Sequence, residues 1–198
     1  MVVRQLRRRG IHDERVLAAM AAVPREHFLP PDQRRRAYRD GAVRIGEGQT
    51  MSQPWIVACM AQLLELDGSE TVLEVGTGSG YAAGVLSLLA REVITIERYE
   101  SLAVQAEQAL HELGYDNVVV GVGDGSLGAP ERGPFGGISV TASARDEPPP
   151  ALLEQLAPGA ALVCPVERGG REHLIRFRDG EQEVVTGVRF VPLVTGEP

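Results

Sequence analysis

A glycine-rich turn between a strand-like and a helix-like segment is the feature that most constrains how this chain folds. The stretch VLEVGTGSGY places Gly76, Gly78 and Gly80 directly after an apolar run. Glycines at such a turn let a ligand reach the N–H groups at the start of the following helix, which favour an anion. The dinucleotide-binding fingerprint has its third glycine one place later, so this spacing predicts a ligand whose anion is smaller than a pyrophosphate.

Strand-like and helix-like segments alternate along the chain around this turn. TVLEVG, EVITIE and VVVGVGDG resemble buried strands, and the helix-like segments YAAGVLSLLA and SLAVQAEQALHELG lie between them. The segments GGISVTAS, PALLEQLA, ALVCPVE and HLIRFRD continue the alternation, and Asp179-Gly180 is expected to join a closing hairpin. The pattern is typical of βαβ units, so we predict an α/β, Rossmann-like fold with a largely parallel sheet.

The first 54 residues have a different pattern, which predicts a helical extension. Apolar residues between Asp13 and His27 follow helical spacing, with Asp13 as the cap and Pro24 near the end. Residues 32–47 are polar and are expected to be irregular. A buried helix is predicted over 55–66, with a proline in its first turn and Asp67-Gly68 ending it. We therefore expect a single domain, in which 1–54 form a helical cap and active-site loop and 55–198 form the cofactor-binding core.

Charge and composition exclude several classes of protein. Residues 1–40 carry a net charge of about +5 and residues 41–198 about −12, and the arginine runs are short and lack interleaved aromatic residues. We therefore expect no nucleic-acid partner. Since no apolar run approaches about eighteen residues and the first ten residues are rich in arginine, we expect a cytosolic protein with no membrane partner.

The histidines and cysteines have no spacing typical of a metal site. Cys59 and Cys164 are far apart in apolar surroundings, and the four histidines are scattered. We predict no metal and no disulfide.

Two acidic residues follow the next two strands and complete a ligand pattern. Glu97 ends EVITIE about twenty residues after the first glycine, where such folds place a carboxylate against the ribose hydroxyls. Asp124, in GVGDG, is positioned to accept a hydrogen bond from an adenine amino group. The combination predicts a site for an adenosine that carries a carboxylate, which fits S-adenosylmethionine better than NAD.

The chain resembles the protein-L-isoaspartate (D-aspartate) O-methyltransferases over nearly its whole length. The resemblance is carried by GIHDERVLAAMAAVPREHFLP, AYRDGAVRIGEGQTMSQPWIVACMAQLLEL, VLEVGTGSGYAAGVLSLL, TIERYESLAVQAEQAL, LGYDNVVVGVGDGSLG and PALLEQLAPGAALVCPV. It implies a Rossmann-like, seven-stranded methyltransferase fold that uses S-adenosylmethionine. The implied reaction methylates the free α-carboxylate of L-isoaspartyl and D-aspartyl residues in damaged proteins, and the enzyme is expected to be a monomer.

The resemblance also implies roles for individual residues. Ser52 in GQTMSQP corresponds to the family's active-site serine, with Thr50 beside it near the cofactor. Asp124 with Gly125 would hold the adenine and Glu97 the ribose. A C-terminal threonine near the cofactor is matched loosely by Thr195. The remaining implied cofactor contacts, around its methionine part, are Glu74, Gly76, Thr77, Gly78, Ser79 and Gly80.

The chain departs from the family pattern in one segment. It reads PFGGI where the family usually reads PFDAI, so that Gly136 replaces an aspartate, and Ser143 and Arg145 stand where small residues and a proline are usual. Two alternatives to general repair follow from these departures. One is a peptide-tailoring methyltransferase that modifies an aspartate of a single precursor, and the other is a cofactor-binding module without catalysis.

The implied reaction explains why GQTMSQP contains no base. The free α-carboxyl of an isoaspartyl linkage has a pKa of about 3.5, so the nucleophile is already ionised at neutral pH. A cation clamped on it would stabilise the ground state more than the transition state, in which charge is neutralised. Neutral donors such as the Ser52 hydroxyl are expected to orient it. Since GQTMSQP is not a GxSxG elbow, we do not expect Ser52 to be a nucleophile.

Overall fold

The computed structural model describes residues 1–196, apart from the side chain at position 3. Five α-helices are formed within this range: α1 Glu14–Ala22, α2 Pro54–Leu64, α3 Tyr81–Ser87, α4 Glu100–Glu112 and α5 Pro150–Glu154. Its strands are β1 Val43–Arg44, β2 Thr50–Met51, β3 Thr71–Val75, β4 Glu92–Glu97, β5 Val118–Val122, β6 Phe135–Val140, β7 Ala144–Arg145, β8 Leu156–Arg168, β9 Arg171–Arg178 and β10 Glu181–Gly187. Single helical turns occupy Val2–Leu6, Arg7–Arg9, Arg25–Phe28, Arg34–Arg36, Gly125–Leu127 and Pro130–Arg132.

The main sheet has the predicted α/β architecture. Within the described residues its strands follow the order β10-β9-β8-β6-β3-β4-β5, and the short β7 pairs beside β8. Five neighbouring strands run parallel, in the order β8, β6, β3, β4 and β5. At the other edge of the sheet, β9 is antiparallel to β8, and β10 is antiparallel to β9. The chain leaves β3 towards β4 on one side and later returns to β6 on the other. This switch in direction opens a crevice at the carboxyl ends of these strands, which is where α/β folds bind ligands.

Local signals account for most element boundaries. The Asp13 carboxylate accepts hydrogen bonds from the N–H groups of Arg15 and Val16 and begins α1 as predicted. Asp179 and Gly180 have φ values of 49° and 80°, which suits the predicted two-residue hairpin. Helix α2 ends at Leu64, with Glu65 as its C-cap, two residues before the predicted end at position 66.

The residue that follows α2 is held by tertiary contacts. Glu65 has a left-handed φ of 54°. Its carboxylate lies 2.7 Å from both Arg176 and Arg178 on β9. The end of α2 is thus connected to β9, which is distant in sequence.

Two apolar clusters cover opposite faces of the sheet. One packs α1, α2, α3 and the N-terminal segment against it, and the other is built around Phe135, Leu152 and Phe177. The 32–47 region contains β1, whose pairing with β2 was not predicted: Val43 faces Met51 and Arg44 faces Thr50. No helix within residues 1–196 is long and apolar enough to cross a membrane.

Candidate active site

A cleft lies at the carboxyl ends of β3, β4 and β6. This is the edge of the sheet at which α/β folds commonly bind ligands. Eight of the residues that the sequence predicts for the site line it: Thr50, Ser52, Gly76, Thr77, Gly78, Ser79, Glu97 and Gly125. Segments separated by more than seventy positions in sequence therefore meet at one surface.

The glycine-rich turn has the backbone that its sequence requires. Gly76, Gly78 and Gly80 have φ values of 94°, 55° and 86°, in the region that favours glycine. A Cβ at Gly76 would collide with the Thr141 hydroxyl, which donates to the Gly76 carbonyl oxygen at 2.6 Å. The turn is thereby fastened to the end of the neighbouring strand β6.

Gly80 has a packing role that the sequence analysis did not anticipate. It lies outside the lining of the cleft formed by the described residues. A Cβ at this position would lie 3.1 Å from the Ala106 Cβ on α4. Glycine at position 80 thus allows α3 to start close against α4, and the direct cofactor contact predicted for it stays a prediction.

Glu97 lines the cleft and holds the glycine-rich turn at the same time. Its carboxylate accepts hydrogen bonds from the N–H groups of Gly78 at 2.7 Å and Tyr99 at 3.1 Å, and the residue is only 5% exposed. A carboxylate has about four acceptor positions, so it retains capacity for a ligand hydroxyl. The predicted ribose contact stays a prediction, and the geometry is compatible with it.

Glu74 lies behind the cleft and not in its wall. The side chain is fully buried, and its Oε2 accepts a hydrogen bond from the Thr95 hydroxyl at 2.6 Å. The Thr95 hydroxyl lies 2.7 Å from that of Thr77, which lines the cleft. Burial, reinforced by the charge of Glu97, raises the pKa of Glu74 to about 8, against the opposing effect of the Thr95 hydrogen bond. Within the described residues Glu74 thus reaches the turn through the two threonines, and its predicted direct cofactor contact stays a prediction.

Asp124 is also outside the cleft lining among the described residues, although Gly125 belongs to it. Its Oδ1 accepts from the Ser126 N–H and hydroxyl, and its Oδ2 accepts from the Gly196 N–H at 2.6 Å. Although partial burial acts in the opposite direction, these hydrogen bonds hold the pKa of Asp124 below its usual value. Both oxygens accept hydrogen bonds within the protein, and the predicted adenine contact stays a prediction. Gly125 is needed for another reason, since a Cβ there would lie 2.5 Å from Val75 Cγ1.

The chain near the C-terminus forms a wall of the cleft that sequence reasoning missed. Residues 191–194 line it. Ser143 donates its N–H to the Val191 carbonyl and accepts at its own carbonyl from the Leu193 N–H, both at 2.8 Å. Thr195, the expected cofactor neighbour, is exposed and outside the lining made by the described residues. No local pattern in the sequence predicts the pairing of Ser143 with the segment 191–193.

The unusual residue Gly136 lies far from the cleft. It is the second residue of β6, whereas the cleft is formed after the last residue of that strand, Val140. A Cβ at Gly136 would lie 2.5 Å from Glu70 Cγ and 2.7 Å from Glu70 Cβ. Glu70 therefore occupies the space that a side chain at position 136 would need, at the end of β6 that is away from the cleft.

The residues of the cleft fit S-adenosylmethionine. The glycine-rich turn exposes backbone near the start of α3, a buried carboxylate forms one wall, and Ser52 and Thr50 contribute uncharged hydroxyls at the other. Neither a histidine nor a lysine lines the cleft among residues 1–196; its ionisable lining residues are Tyr81, Glu97, Arg98 and Tyr99.

Comparisons with known proteins agree with this geometry. The model of the family described as protein-L-isoaspartate(D-aspartate) O-methyltransferase matches residues 1–198. Protein-L-isoaspartate O-methyltransferase 2 of Pelobacter propionicus is 51% identical over 203 residues, covering 100% of this chain and 90% of that protein. Its counterpart in Marinobacter nauticus is 52% identical, covering 100% and 92%.

Solved structures give the same result. A putative protein-L-isoaspartate O-methyltransferase from Plasmodium falciparum, in complex with S-adenosyl-L-homocysteine, has a TM-score of 0.83 at 26% identity and covers 98% of this chain and 97% of that one. A second protein-L-isoaspartate O-methyltransferase structure has a TM-score of 0.81 at 29% identity, and the match covers 94% of this chain and 62% of that longer one.

Proposed function

Because this chain belongs to the protein-L-isoaspartate(D-aspartate) O-methyltransferase family, we propose that it methylates the free α-carboxylate of L-isoaspartyl and D-aspartyl residues in damaged proteins. The observation that carries the proposal is the meeting of two elements at one cleft. The GQTMSQP loop presents Ser52, and the glycine-rich turn with Glu97 forms the opposite part of the lining. A substrate carboxylate and a cofactor bound there would be neighbours.

The residues of this chain supply position, and the cofactor supplies the reactive group. S-adenosylmethionine, when bound, provides a methyl group on a sulfonium. The turn from Gly76 to Gly80 and Glu97 orient that ligand, and the Ser52 hydroxyl donates a hydrogen bond to one carboxylate oxygen of the peptide. No proton is transferred, so alignment of the reacting atoms is the main contribution, which is worth about 7–11 kcal/mol at best.

The product explains why one methyl transfer is sufficient for repair. In the methyl ester, the neighbouring backbone amide nitrogen attacks the carbonyl carbon and methanol leaves, which forms a succinimide. Water then opens this ring, partly to normal aspartate. These steps need no residue of the enzyme.

A methyl-transfer assay on paired peptides tests the proposal. The purified protein, S-adenosylmethionine and an isoaspartyl peptide should give a peptide methyl ester by mass spectrometry, and the isomer with ordinary aspartate should give none. Absence of ester under conditions where a known family member is active would refute repair. Ester on the aspartate isomer would favour the tailoring enzyme. The hypothesis of a cofactor-binding module without catalysis was based on Gly136, which lies at the end of β6 away from the cleft.

Ser52→Ala tests the role of the hydroxyl. Loss of a hydrogen bond to a charged group should lower kcat about 10- to 100-fold, while the affinity for S-adenosylhomocysteine changes little. Ser69→Ala, outside the cleft lining given by the described residues, is the matched control. Full activity of Ser52→Ala would remove the proposed role.

We further propose that the protein acts as a cytoplasmic monomer without nucleic-acid or membrane partners. One domain would comprise the cap 1–54 and the core 55–198, of which the last two positions lie outside the described residues. Part of the arginine-rich N-terminal region is neutralised internally, since Arg7 pairs with Glu14 at 2.6 Å and Arg9 with Asp40 at 3.2 Å. Light scattering coupled to size-exclusion chromatography should give the mass of a monomer, and a dimer would contradict it.

A further inference from the structure

Arg25 is fully buried directly beneath the loop that presents Ser52. Its Nη2 donates to the Ser52 carbonyl oxygen at 2.5 Å, and its Nε donates to the Ala37 carbonyl oxygen at 2.7 Å. The exposed fraction of the residue is 0%. It lies outside the cleft lining formed by residues 1–196, but it is in hydrogen-bond contact with a residue of that lining.

The charge of Arg25 has no anionic partner within the described structure. No carboxylate of residues 1–196 lies within 4.0 Å of it, and its buried Nη1 has no hydrogen-bond acceptor there. The adjacent Glu26 instead accepts a hydrogen bond from the Tyr38 hydroxyl. Burial lowers the pKa of Arg25, but an arginine remains protonated in proteins.

An aromatic ring of the cleft gives partial compensation. The Arg25 Cζ lies 4.6 Å from the centre of the Tyr81 ring, and Tyr81 belongs to the cleft lining. A cation–π contact offsets part of the cost of burying a cation but leaves its net charge in place. Burying a cation without a counter-ion costs free energy, and its charge is screened less than that of an exposed side chain.

We propose that Arg25 is a positioning residue for the substrate carboxylate: it fixes the Ser52 carbonyl and supplies, from beneath the loop, a positive charge that adds to that of Arg98 in the cleft lining. This inference rests on the proposed function, which brings a carboxylate to Ser52. The position of Arg25 behind the loop resolves a conflict in the chemistry. A cation in direct contact would hold the ground-state carboxylate too firmly, whereas one behind the loop attracts it without clamping the reacting oxygen.

The competing interpretation is that Arg25 only ties two backbone segments together. The two interpretations differ in how they depend on ligand charge. A structural tie affects every peptide equally, whereas a charge effect is specific for a carboxylate. The test therefore compares an isoaspartyl peptide with the same peptide in which the free α-carboxylate is replaced by a carboxamide.

The variant is Arg25→Met, and the matched control is Arg15→Met. Arg15 also donates to two backbone carbonyls, those of Leu66 at 2.6 Å and Leu89 at 3.0 Å, but it lies outside the cleft lining seen in the described residues. Calorimetry with S-adenosylhomocysteine present should show the carboxylate peptide binding about tenfold more weakly to Arg25→Met, as expected for one partly screened charge interaction. The affinity for the carboxamide peptide should differ less than about twofold between Arg25→Met and wild type. In turnover assays KM should rise more than kcat falls, and Arg15→Met should match wild type in every assay.

The inference would be overturned if Arg25→Met lost affinity equally for both peptides. A fall in its kcat with KM unchanged would overturn it as well. If Arg25→Met does not fold, Arg25→Lys decides, because it retains the charge and loses part of the carbonyl tie. Preserved discrimination between the two peptides in Arg25→Lys supports the proposal, and loss of discrimination overturns it. A wild-type protein that methylates no isoaspartyl peptide would instead refute the proposed function, independently of any Arg25 variant.

Discussion

Substitution of Glu74 by glutamine tests the protonation state of the carboxyl group that is buried behind the glycine-rich turn. The carboxyl is fully buried, and its Oε1 has no hydrogen-bond partner among the residues that the structure describes. Burial raises its pKa from 4.5 to about 8, so it is protonated in the folded protein at neutral pH. Glutamine has nearly the same shape and cannot ionise, which makes Glu74→Gln a probe of this protonation state.

The sign of the pH dependence follows from proton binding. Between pH 4.5 and about 8 the folded protein keeps the Glu74 proton, and the unfolded chain has released it. A rise in pH therefore favours the unfolded wild type, by about 1.4 kcal/mol per pH unit from this group. Its stabilising contribution is complete below about pH 4.5 and is lost as the pH rises towards about 8.

Glu74→Gln cannot ionise at this position and so does not lose stability in this way as the pH rises. The difference in free energy of unfolding between Glu74→Gln and wild type should therefore change with pH. At pH 5 Glu74→Gln should be less stable by about 1–3 kcal/mol, because its amide introduces buried N–H donors. Relative to wild type it should gain about 3 kcal/mol between pH 5 and pH 7. The deficit should thus disappear or reverse near neutral pH.

Urea denaturation followed by circular dichroism at pH 5, 6, 7 and 8 measures the free energy of unfolding of both proteins. Glu107→Gln, on the exposed face of α4, controls for the removal of one negative charge. A difference between Glu74→Gln and wild type that stays constant with pH would refute the reasoning. So would a difference that grows against the variant as the pH rises.

Two further substitutions test the site and the departure from the family pattern. Glu97→Gln should weaken S-adenosylhomocysteine binding about tenfold by calorimetry, because one amide oxygen cannot replace the two carboxylate oxygens that hold the Gly78 and Tyr99 N–H groups; unchanged affinity would contradict this role. Gly136→Ala should lower the free energy of unfolding by about 1–3 kcal/mol with kcat retained, because its methyl group would overlap Glu70 far from the cleft. The control is Gly187→Ala, because no atom of the described residues lies within 4 Å of the added carbon. A fall in kcat for Gly136→Ala without a fall in stability would contradict the placement of Gly136 away from the active site.

The sequence predicted the order of elements well because local patterns encode it. Strand-like and helix-like segments map onto β3, α3, β4, α4 and β5, and the closing hairpin is confirmed. Boundaries were less accurate where distant groups intervene. Glu65, at the end of α2, forms ion pairs with β9, and β1 pairs with β2.

Membership of the site was predicted for residues at strand ends and missed for residues brought in by packing. Parallel strands have their carboxyl ends at one edge of the sheet, so the turn after β3 and Glu97 after β4 were expected to be neighbours. Tyr81, Thr141 and residues 191–194 also line the cleft, and no spacing in the sequence indicates it.

The amino-acid sequence by itself determined the left-handed turn, the alternation that builds a parallel sheet, and the neutral character of the GQTMSQP loop, because these depend on backbone freedom and side-chain type over a few residues. Only the tertiary structure decided that Glu74 is buried behind the turn, that Gly136 lies at the far end of its strand, and that Arg25 lies under Ser52 without a counter-ion among the described residues. Burial and the partners of a charge depend on segments far away in the chain, and local patterns carry no record of those contacts.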